Sequence, residues 1–214
     1  MEFNNKYLQE PIYWHEATSY LLKKDRILKK IIPLCNKNFS IFSENYFQIL
    51  SKAIICQKIS NIANETVDNI WNIFKNKIFL DPYSILITSK DTLKSMGVNN
   101  RKANYLYHLA LSFCEKKVKY EDWNTMDNES IVKELLSIKG IGRWTAEIFL
   151  MFGMQRPDIM PLDDKDLLKA ISFHYFSGEP VSRFEAREVS VAWKPWRTVA
   201  SYYLWQSLNF LPIK

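Results

Sequence analysis

The sequence predicts an all-α protein, and three observations lead to that prediction. Apolar residues recur at helical spacing from end to end, whereas convincing strand alternation is hard to find. Helix-start signals agree: Ser182–Glu185 has capping-box spacing, and Asp127 or Asn128 can cap a helix that enters Ile131. Glycine is scarce, with 5 in 214 residues, so most helices must end without a glycine cap.

Seven segments carry the periodicity, each with apolar residues three and four positions apart that form one buried face. In chain order they are Tyr46–Ile55, Ile62–Phe74, Ala103–Cys114, Ser130–Ile138, Thr145–Phe152, Asp166–Phe173 and Val199–Leu208. No linker, repeat or low-complexity tract separates them, and the short basic runs at Lys23-Lys24 and Lys116-Lys117 are typical of a solvated face. One compact unit with two helical lobes is the simplest organisation.

Composition narrows the class of protein. With 47% hydrophobic and 24% charged residues, neither a disordered nor a fibrous protein is expected. The chain opens without a basic segment ahead of an apolar one, and its longest apolar run, around Ile148 to Met154, is too short to span a bilayer. We therefore expect a soluble, cytoplasmic protein with no membrane partner. The net charge of +6 favours an anionic partner such as nucleic acid.

The three cysteines, Cys35, Cys56 and Cys114, lie far apart in the sequence. They match neither a paired zinc knuckle nor the four-cysteine ligation of an iron–sulfur cluster. We predict that all three are buried, reduced thiols.

Residues 130 to 150 predict helix, tight turn, helix, with the turn at Lys139-Gly140-Ile141-Gly142. The helix before the turn carries the apolar residues Val132, Leu135, Leu136 and Ile138, and the helix after it carries Ile148, Phe149 and Phe152. Gly140 and Gly142 allow positive φ and close backbone approach, and Ile141 can plug into the helix pair. The amides at the start of the second helix, flanked by Lys139 and Arg143, can hold a phosphate without reading sequence. An ordinary helical hairpin is the alternative.

The segment Leu135–Ala146 resembles the helix-hairpin-helix of the DNA glycosylase superfamily, specifically its 3-methyladenine DNA glycosylase II branch. The resemblance extends from about Phe47 to Leu208 and departs from the family at Lys139, Asp163 and Lys58. Its other motifs are Ile54–Ser60, the loop formed by Arg156–Asp158 and Met160–Asp164, and the pair Trp193–Arg197 and Tyr203–Trp205.

The resemblance implies a helix-hairpin-helix glycosylase fold without an N-terminal β domain, in which two helical lobes form a DNA-binding cleft. Residues 1–214 would be a single unit, with the hairpin in a lobe of about 43–158 and a second lobe of 1–42 plus 159–214. It also implies a monomer that binds damaged double-stranded DNA and needs no cofactor. The protein would be cytoplasmic and associated with the nucleoid in a bacterium, or nuclear in a eukaryote.

The activity implied is hydrolysis of the N-glycosidic bond of alkylated purines of the 3-methyladenine type, in base excision repair. Two alternatives stay open: a non-catalytic DNA-binding or damage-sensing protein, and a glycosylase for another base lesion. Asp164 aligns with the family's catalytic carboxylate, which stabilises a cationic sugar or orients water. By itself, Asp164 is better explained as a helix cap, while Asp163 suits a capping or surface role.

Trp144 occupies the position at which strand-cleaving relatives hold a lysine nucleophile, so the resemblance implies hydrolysis without a Schiff base. With Trp205 and Ile148 it would line the base pocket, where an indole face attracts a cationic alkylated purine. Trp193 and Trp196 are expected in the core.

The remaining roles implied by the resemblance concern DNA and ions. Gln57 and Lys58 would probe the duplex as a wedge, unless Gln57 caps a buried helix end. No catalytic metal is expected, although a structural monovalent cation could sit on the carbonyls of Leu136, Ile138 and Ile141. The DNA backbone would be bound by Lys139, Gly140, Ile141, Gly142, Arg143 and Thr145.

Overall fold

The fold is described from a computed structural model that covers residues 10–35, 45–56 and 81–210. Within these ranges every regular element is a helix, which confirms the all-α prediction. None of the helices in the described part of the chain combines the length and apolar character needed to cross a membrane.

Eleven α-helices lie in the described ranges. They are α1 Trp14–Lys24, α2 Leu28–Ile31, α3 Tyr46–Cys56, α4 Pro82–Ile87, α5 Lys90–Ser95, α6 Asn100–Cys114, α7 Asn128–Leu136, α8 Arg143–Ile148, α9 Lys165–Tyr175, α10 Arg183–Ser190 and α11 Arg197–Ser207. Three-residue 3₁₀ turns lie at Ile32–Leu34, Val191–Trp193 and Leu208–Phe210, and a π-helical turn, Phe149–Gly153, directly follows α8.

The predicted helix starts at Asp127 and Ser182 are both confirmed. Asp127 is the N-cap of α7, its side chain accepting a hydrogen bond from the Ser130 amide at 3.0 Å. Ser182 and Glu185 form the complete capping box of α10. Of the seven predicted helical segments, Ile62–Phe74 lies outside the described residues, and the other six each coincide with a helix.

The backbone divides into two compact units, the first formed by Met1–Ser43 and Leu150–Lys214 and the second by Glu44–Phe149. In the second unit α6 packs against both α3 and α4. Trp123 is fully buried there and donates from Nε1 to the Glu134 carboxylate at 2.8 Å. Lys102 on α6 is also buried, and its ammonium group donates to the Ile55 carbonyl near the end of α3.

In the first unit, α11 contacts α1, α2 and α9 and supplies much of the core. Asp25, between α1 and α2, is buried, and four donors meet its carboxylate. Oδ1 accepts from the amides of Ile27 and Leu28 at 2.8 and 2.9 Å, while Oδ2 accepts from Tyr175 Oη at 2.9 Å and Trp193 Nε1 at 2.8 Å. Burial, reinforced by the Asp25 charge, raises the pKa of Tyr175 far above its usual range.

Trp193 is fully buried and belongs to the core, as predicted. Trp196 is half-buried and stacks on Tyr13, with ring centroids 5.5 Å apart.

Two expectations about buried side chains are wrong. Cys35 is buried, but Cys114, near the end of α6, is exposed, because it lies on the solvent side of the last helical turn. The side chain of Cys56 lies outside the described residues. Leu136, expected on the apolar side of the hairpin, is 44% exposed, because α7 turns Ile131, Val132 and Leu135 inward and leaves position 136 on the outer face.

Candidate active site

The hairpin turn is built around two buried isoleucines and one glycine at positive φ. Ile138 and Ile141 are both buried, and the Ile141 amide donates to the Ile138 carbonyl at 3.1 Å, so the predicted plug is confirmed. Gly140 has φ +104°, and a Cβ atom there would lie 2.3 Å from Cγ of Tyr105. Backbone conformation and close packing on α6 therefore both require glycine at position 140.

Gly142 has a different reason to be glycine. Its φ of −96° and ψ of 171° are open to any residue, so the predicted positive φ is wrong at this position; Gly142 is the N-cap of α8 and needs only extended backbone. Apart from Gly142 and its two chain neighbours, no heavy atom of a described residue lies within 4 Å of the place a Cβ would occupy. The absence of a side chain thus leaves the backbone at the start of α8 open to a ligand.

Arg143 is held by two carboxylates of its own unit. Its Nη2 lies 2.6 Å from Glu129 Oε1, and its Nε lies 3.0 Å from Glu147 Oε1. The hydrogen bond that Arg143 donates to Glu129 is the main cause that raises the pKa of Arg143 above its usual value. Lys139, by contrast, is exposed and makes no ion pair with a described residue.

The remaining hairpin residues differ in exposure. Thr145 is only 3% exposed, so its side chain offers almost no surface to DNA. Trp144 is 37% exposed, and Ile148, one turn further along α8, is half-buried. The Ile138 carbonyl is one of the three carbonyls expected to bind a cation. It accepts a hydrogen bond from the Ile141 amide, which occupies one of its two lone pairs.

Asp164 is the N-cap of α9, and its carboxylate is held by two donors from different elements. Oδ1 accepts from the Leu167 amide at 2.7 Å and from Trp205 Nε1 at 2.9 Å. The helix-cap interpretation is therefore correct. The capping bond also fixes the direction of the carboxylate, so a cap and a reactive group are compatible at this residue. The indole of Trp205 stacks on Phe152, with centroids 6.1 Å apart.

The loop that ends at Asp164 is fastened at its start by the first turn of α11. Arg197 forms a two-pronged ion pair with Asp158, with Nε–Oδ1 2.6 Å and Nη2–Oδ2 2.9 Å. Thr198 is fully buried; its hydroxyl donates to the Arg156 carbonyl at 2.6 Å and accepts from the Ile159 amide at 3.0 Å. These bonds leave little freedom to residues 156–159.

The same face of α11 continues to Asp164. Ser201 packs its hydroxyl 3.8 Å from the sulfur of Met160, and Trp205 reaches Asp164. Positions 197, 201 and 205 are four residues apart and so share one side of a helix, spanning about 12 Å. Helix α11 thus contacts this loop at residues 156–160 and again at Asp164.

The neighbouring carboxylate has a separate environment. Asp163 is exposed and pairs with Arg183 on α10, with Nη2–Oδ1 2.8 Å. This agrees with the surface role expected from the sequence.

The predicted site residues are therefore placed in two groups within separate units. Asp164 and Trp205 are in direct contact in the first unit, and the hairpin residues, with Trp144 and Ile148, belong to the second. Gln57 and Lys58 lie outside the described residues. The part that Arg197, Thr198 and Ser201 play in holding this loop was not predicted, although Arg197 belongs to a quoted motif. The hydroxyls of Thr198 and Ser201, three residues apart on a helix, were the available signal for those two residues.

Comparison with known proteins adds relatives of known class, although no protein-family model matches the chain. The chain is 31% identical over 164 residues to the alkylbase DNA glycosidase-like protein mag2 of Schizosaccharomyces pombe, covering 75% of this chain and 76% of that protein. It is 27% identical over 198 residues to DNA-3-methyladenine glycosylase 1 of the same organism, covering 90% and 86%.

A solved structure agrees with these sequence relatives. The S. pombe 3-methyladenine DNA glycosylase Mag1, in complex with abasic DNA, superposes with a TM-score of 0.80 at 25% identity. The match covers 91% of this chain and 97% of that one.

Proposed function

The chain belongs to the DNA-3-methyladenine glycosylase family, and from that membership we infer that it hydrolyses the N-glycosidic bond of alkylated purines in duplex DNA as part of base excision repair. The observation that carries the proposal is the double anchoring of Asp164. Its carboxylate ends a loop whose first half, residues 156–160, is bonded to α11, and Leu167 and Trp205 fix one of its oxygens.

Asp164 would act on the sugar of a nucleotide turned out of the duplex. Unstacking costs a few kcal/mol, and a damaged pair costs less. As the C1′–N bond breaks, its electrons leave with the base and the sugar becomes cationic, and water then adds to C1′. A carboxylate fixed in advance stabilises that cation without reorganising. An alkylated purine already carries positive charge and leaves as a neutral base, so a single carboxylate suffices.

The base pocket would use aromatic faces. The Trp205 ring lies beside the carboxylate, and a cationic purine over an indole gains about 0.5 to 2 kcal/mol. Trp144 and Ile148 are proposed as further pocket residues on α8. Because Trp144 cannot form a Schiff base, the reaction would end at an abasic site without strand cleavage.

The hairpin would hold the DNA backbone mainly through main-chain groups. The open space at Gly142 and the exposed ammonium of Lys139 support a phosphate site there. Arg143, already held by Glu129 and Glu147, would fix the shape of the hairpin more than add free charge. Gln57 and Lys58 stay a proposed wedge.

The proposal extends to assembly and location. Both groups of site residues come from one chain, so we expect a monomer to be active, in whichever compartment contains the DNA.

The decisive experiment compares Asp164→Asn with Asp163→Asn on duplexes carrying one alkylated purine. Asparagine caps helices about as well as aspartate, so both variants should fold. We expect Asp164→Asn to keep DNA affinity but to lose base release by about a hundredfold or more, and Asp163→Asn to stay near wild type. Equal release by all three proteins would refute the catalytic role, and binding without release even by the wild type would instead indicate a damage sensor.

A further inference from the structure

Five cations crowd the corner at which α1 passes into α2, and none of them has a role in the chemistry above. We call this set the basic corner. All five side chains are exposed, and none forms an ion pair with any residue that the structure describes. Among the described aromatic residues, Tyr20 alone contacts one of these cations; Lys24 Nζ lies 5.7 Å from the centroid of its ring. The members are Lys23, Lys24, Arg26, Lys29 and Lys30.

The corner contains most of the chain's excess charge. Within residues 23–30 there are five cations and one acid, a net charge of +4 against +6 for all 214 residues. Helix α10 shows the usual pattern by comparison, since Arg183 and Arg187 alternate with Glu185 and Glu188. A surface that only needed to be soluble would mix its charges in that way.

Asp25, the one acidic residue within 23–30, does not neutralise the surface charge of the basic corner. Asp25 points inward, where its two oxygens bind the amides of Ile27 and Leu28, the Tyr175 hydroxyl and the Trp193 indole. These bonds fix the turn between α1 and α2. The cations on either side are therefore presented from a rigid backbone, which lowers the entropy cost of binding.

Helix dipoles do not account for the charge. Lys23 and Lys24 lie in the last turn of α1, and Lys29 and Lys30 in that of α2, where a cation is favourable. A helix end carries only about half a negative charge, and α2 has just four residues. Five clustered cations exceed that need, and their mutual repulsion opposes folding.

We propose that the basic corner is a second contact for duplex DNA, which binds backbone phosphates outside the lesion site. This rests on the proposed function, which makes DNA the substrate. A duplex carries about one negative charge per 1.7 Å, so a group of cations on a fixed turn can meet several phosphates at once. A lipid surface fits less well, because membrane-binding segments insert exposed apolar side chains. Within the corner, Leu28 is buried and Ile27 half-buried.

The test neutralises three lysines in the corner and three elsewhere. One variant carries Lys23→Gln, Lys29→Gln and Lys30→Gln; its control carries Lys90→Gln, Lys94→Gln and Lys119→Gln. The control lysines are exposed residues of the second unit that make no described ion pair, so both variants lose the same charge. DNA affinity is measured against salt concentration on an alkylated duplex of about 30 base pairs, roughly 100 Å long.

We expect the corner variant to flatten the plot of log affinity against log salt by about 0.9 for each phosphate that it no longer neutralises, and so by up to about 2.7. The control should keep the wild-type slope, and neither variant should unfold at a lower temperature. An unchanged slope in the corner variant, or an equally flattened slope in both, overturns the proposal, as does corner-dependent binding to acidic phospholipid vesicles with an unchanged DNA slope.

Base release separates this proposal from the proposed function. The corner does not touch Asp164, so DNA-saturated corner variant should release base at the wild-type rate. A wild type that binds DNA but releases no base would overturn the glycosylase activity, while the salt slopes would still decide whether the corner binds DNA.

Discussion

At the scale of single residues, a hydrogen bond from the Trp205 indole distinguishes Asp164 from the neighbouring carboxylate of Asp163. Asp163, its neighbour, pairs with an exposed arginine, whereas Asp164 accepts one bond from its own helix and one from α11. The cap on α9 follows from local sequence, because an aspartate ahead of an apolar helix is a common N-cap. The bond from Trp205 joins residues 41 positions apart and depends on how α11 packs, so local pattern could not predict it.

Trp205→Phe should slow base release by about tenfold while DNA affinity stays within about twofold. The change removes the indole donor but keeps a ring, and a hydrogen bond to a charged group contributes about 1.5–3 kcal/mol. Single-turnover release and equilibrium binding measure the two effects separately. Trp196→Phe is the matched control, because that indole stacks on Tyr13. Equal slowing in both variants would mean that the effect comes from aromatic packing alone.

At the scale of elements, the hairpin shows which structural features the helical periodicity of the sequence can predict and which it cannot. The two helices and the buried Ile141 between them were predictable because they depend on local spacing. The different requirements at Gly140 and Gly142 were not, because one is set by Tyr105, 35 positions away, and the other by empty space. Helices α1, α2, α4 and α5 were also not among the predicted segments; α2, α4 and α5 have only four to six residues, too few to show a clear period.

Alanine at the two glycines should weaken DNA binding in both cases but should affect stability very differently. Gly140→Ala forces a side chain into positive φ, at about 1–2 kcal/mol, and into the Tyr105 ring, so the melting temperature and DNA binding should both fall. Gly142→Ala should melt only slightly below the wild type, because alanine is a poorer N-cap than glycine, but it should bind DNA more weakly, because its methyl group fills the space proposed for phosphate. Thermal melting and binding to the same duplex decide both points. Unchanged affinity in Gly142→Ala would place the phosphate elsewhere.

At the scale of the whole molecule, stability should depend on pH through His174. Its Nε2 lies 2.8 Å from Ser207 Oγ, and burial lowers the pKa of His174 below 6.5. The unfolded chain therefore binds more protons than the folded one just below pH 6.5, and the free energy of unfolding falls as the pH decreases through that window. Asp81 and Glu185 have lowered pKa values and act only at more acidic pH.

His174→Gln should remove this part of the pH dependence. Chemical unfolding at about pH 7.5 and about pH 5.5 should show a smaller decrease in stability in the variant than in the wild type. The same decrease in both proteins would assign the effect to other groups. The helical class of the molecule was predictable from composition and spacing, but this dependence was not, because it comes from the packing of α9 on α11.

The contact between Gly140 and Tyr105 also makes the turn observable. The tyrosine ring lies directly beneath the backbone that is proposed to face phosphate, yet it belongs to α6 and not to the turn. A fluorine atom on that ring would have a resonance that senses any shift of the glycine above it. Spectra recorded during titration with undamaged and then alkylated duplex would reveal whether the hairpin moves when a lesion is found or only rests on the backbone while the enzyme searches.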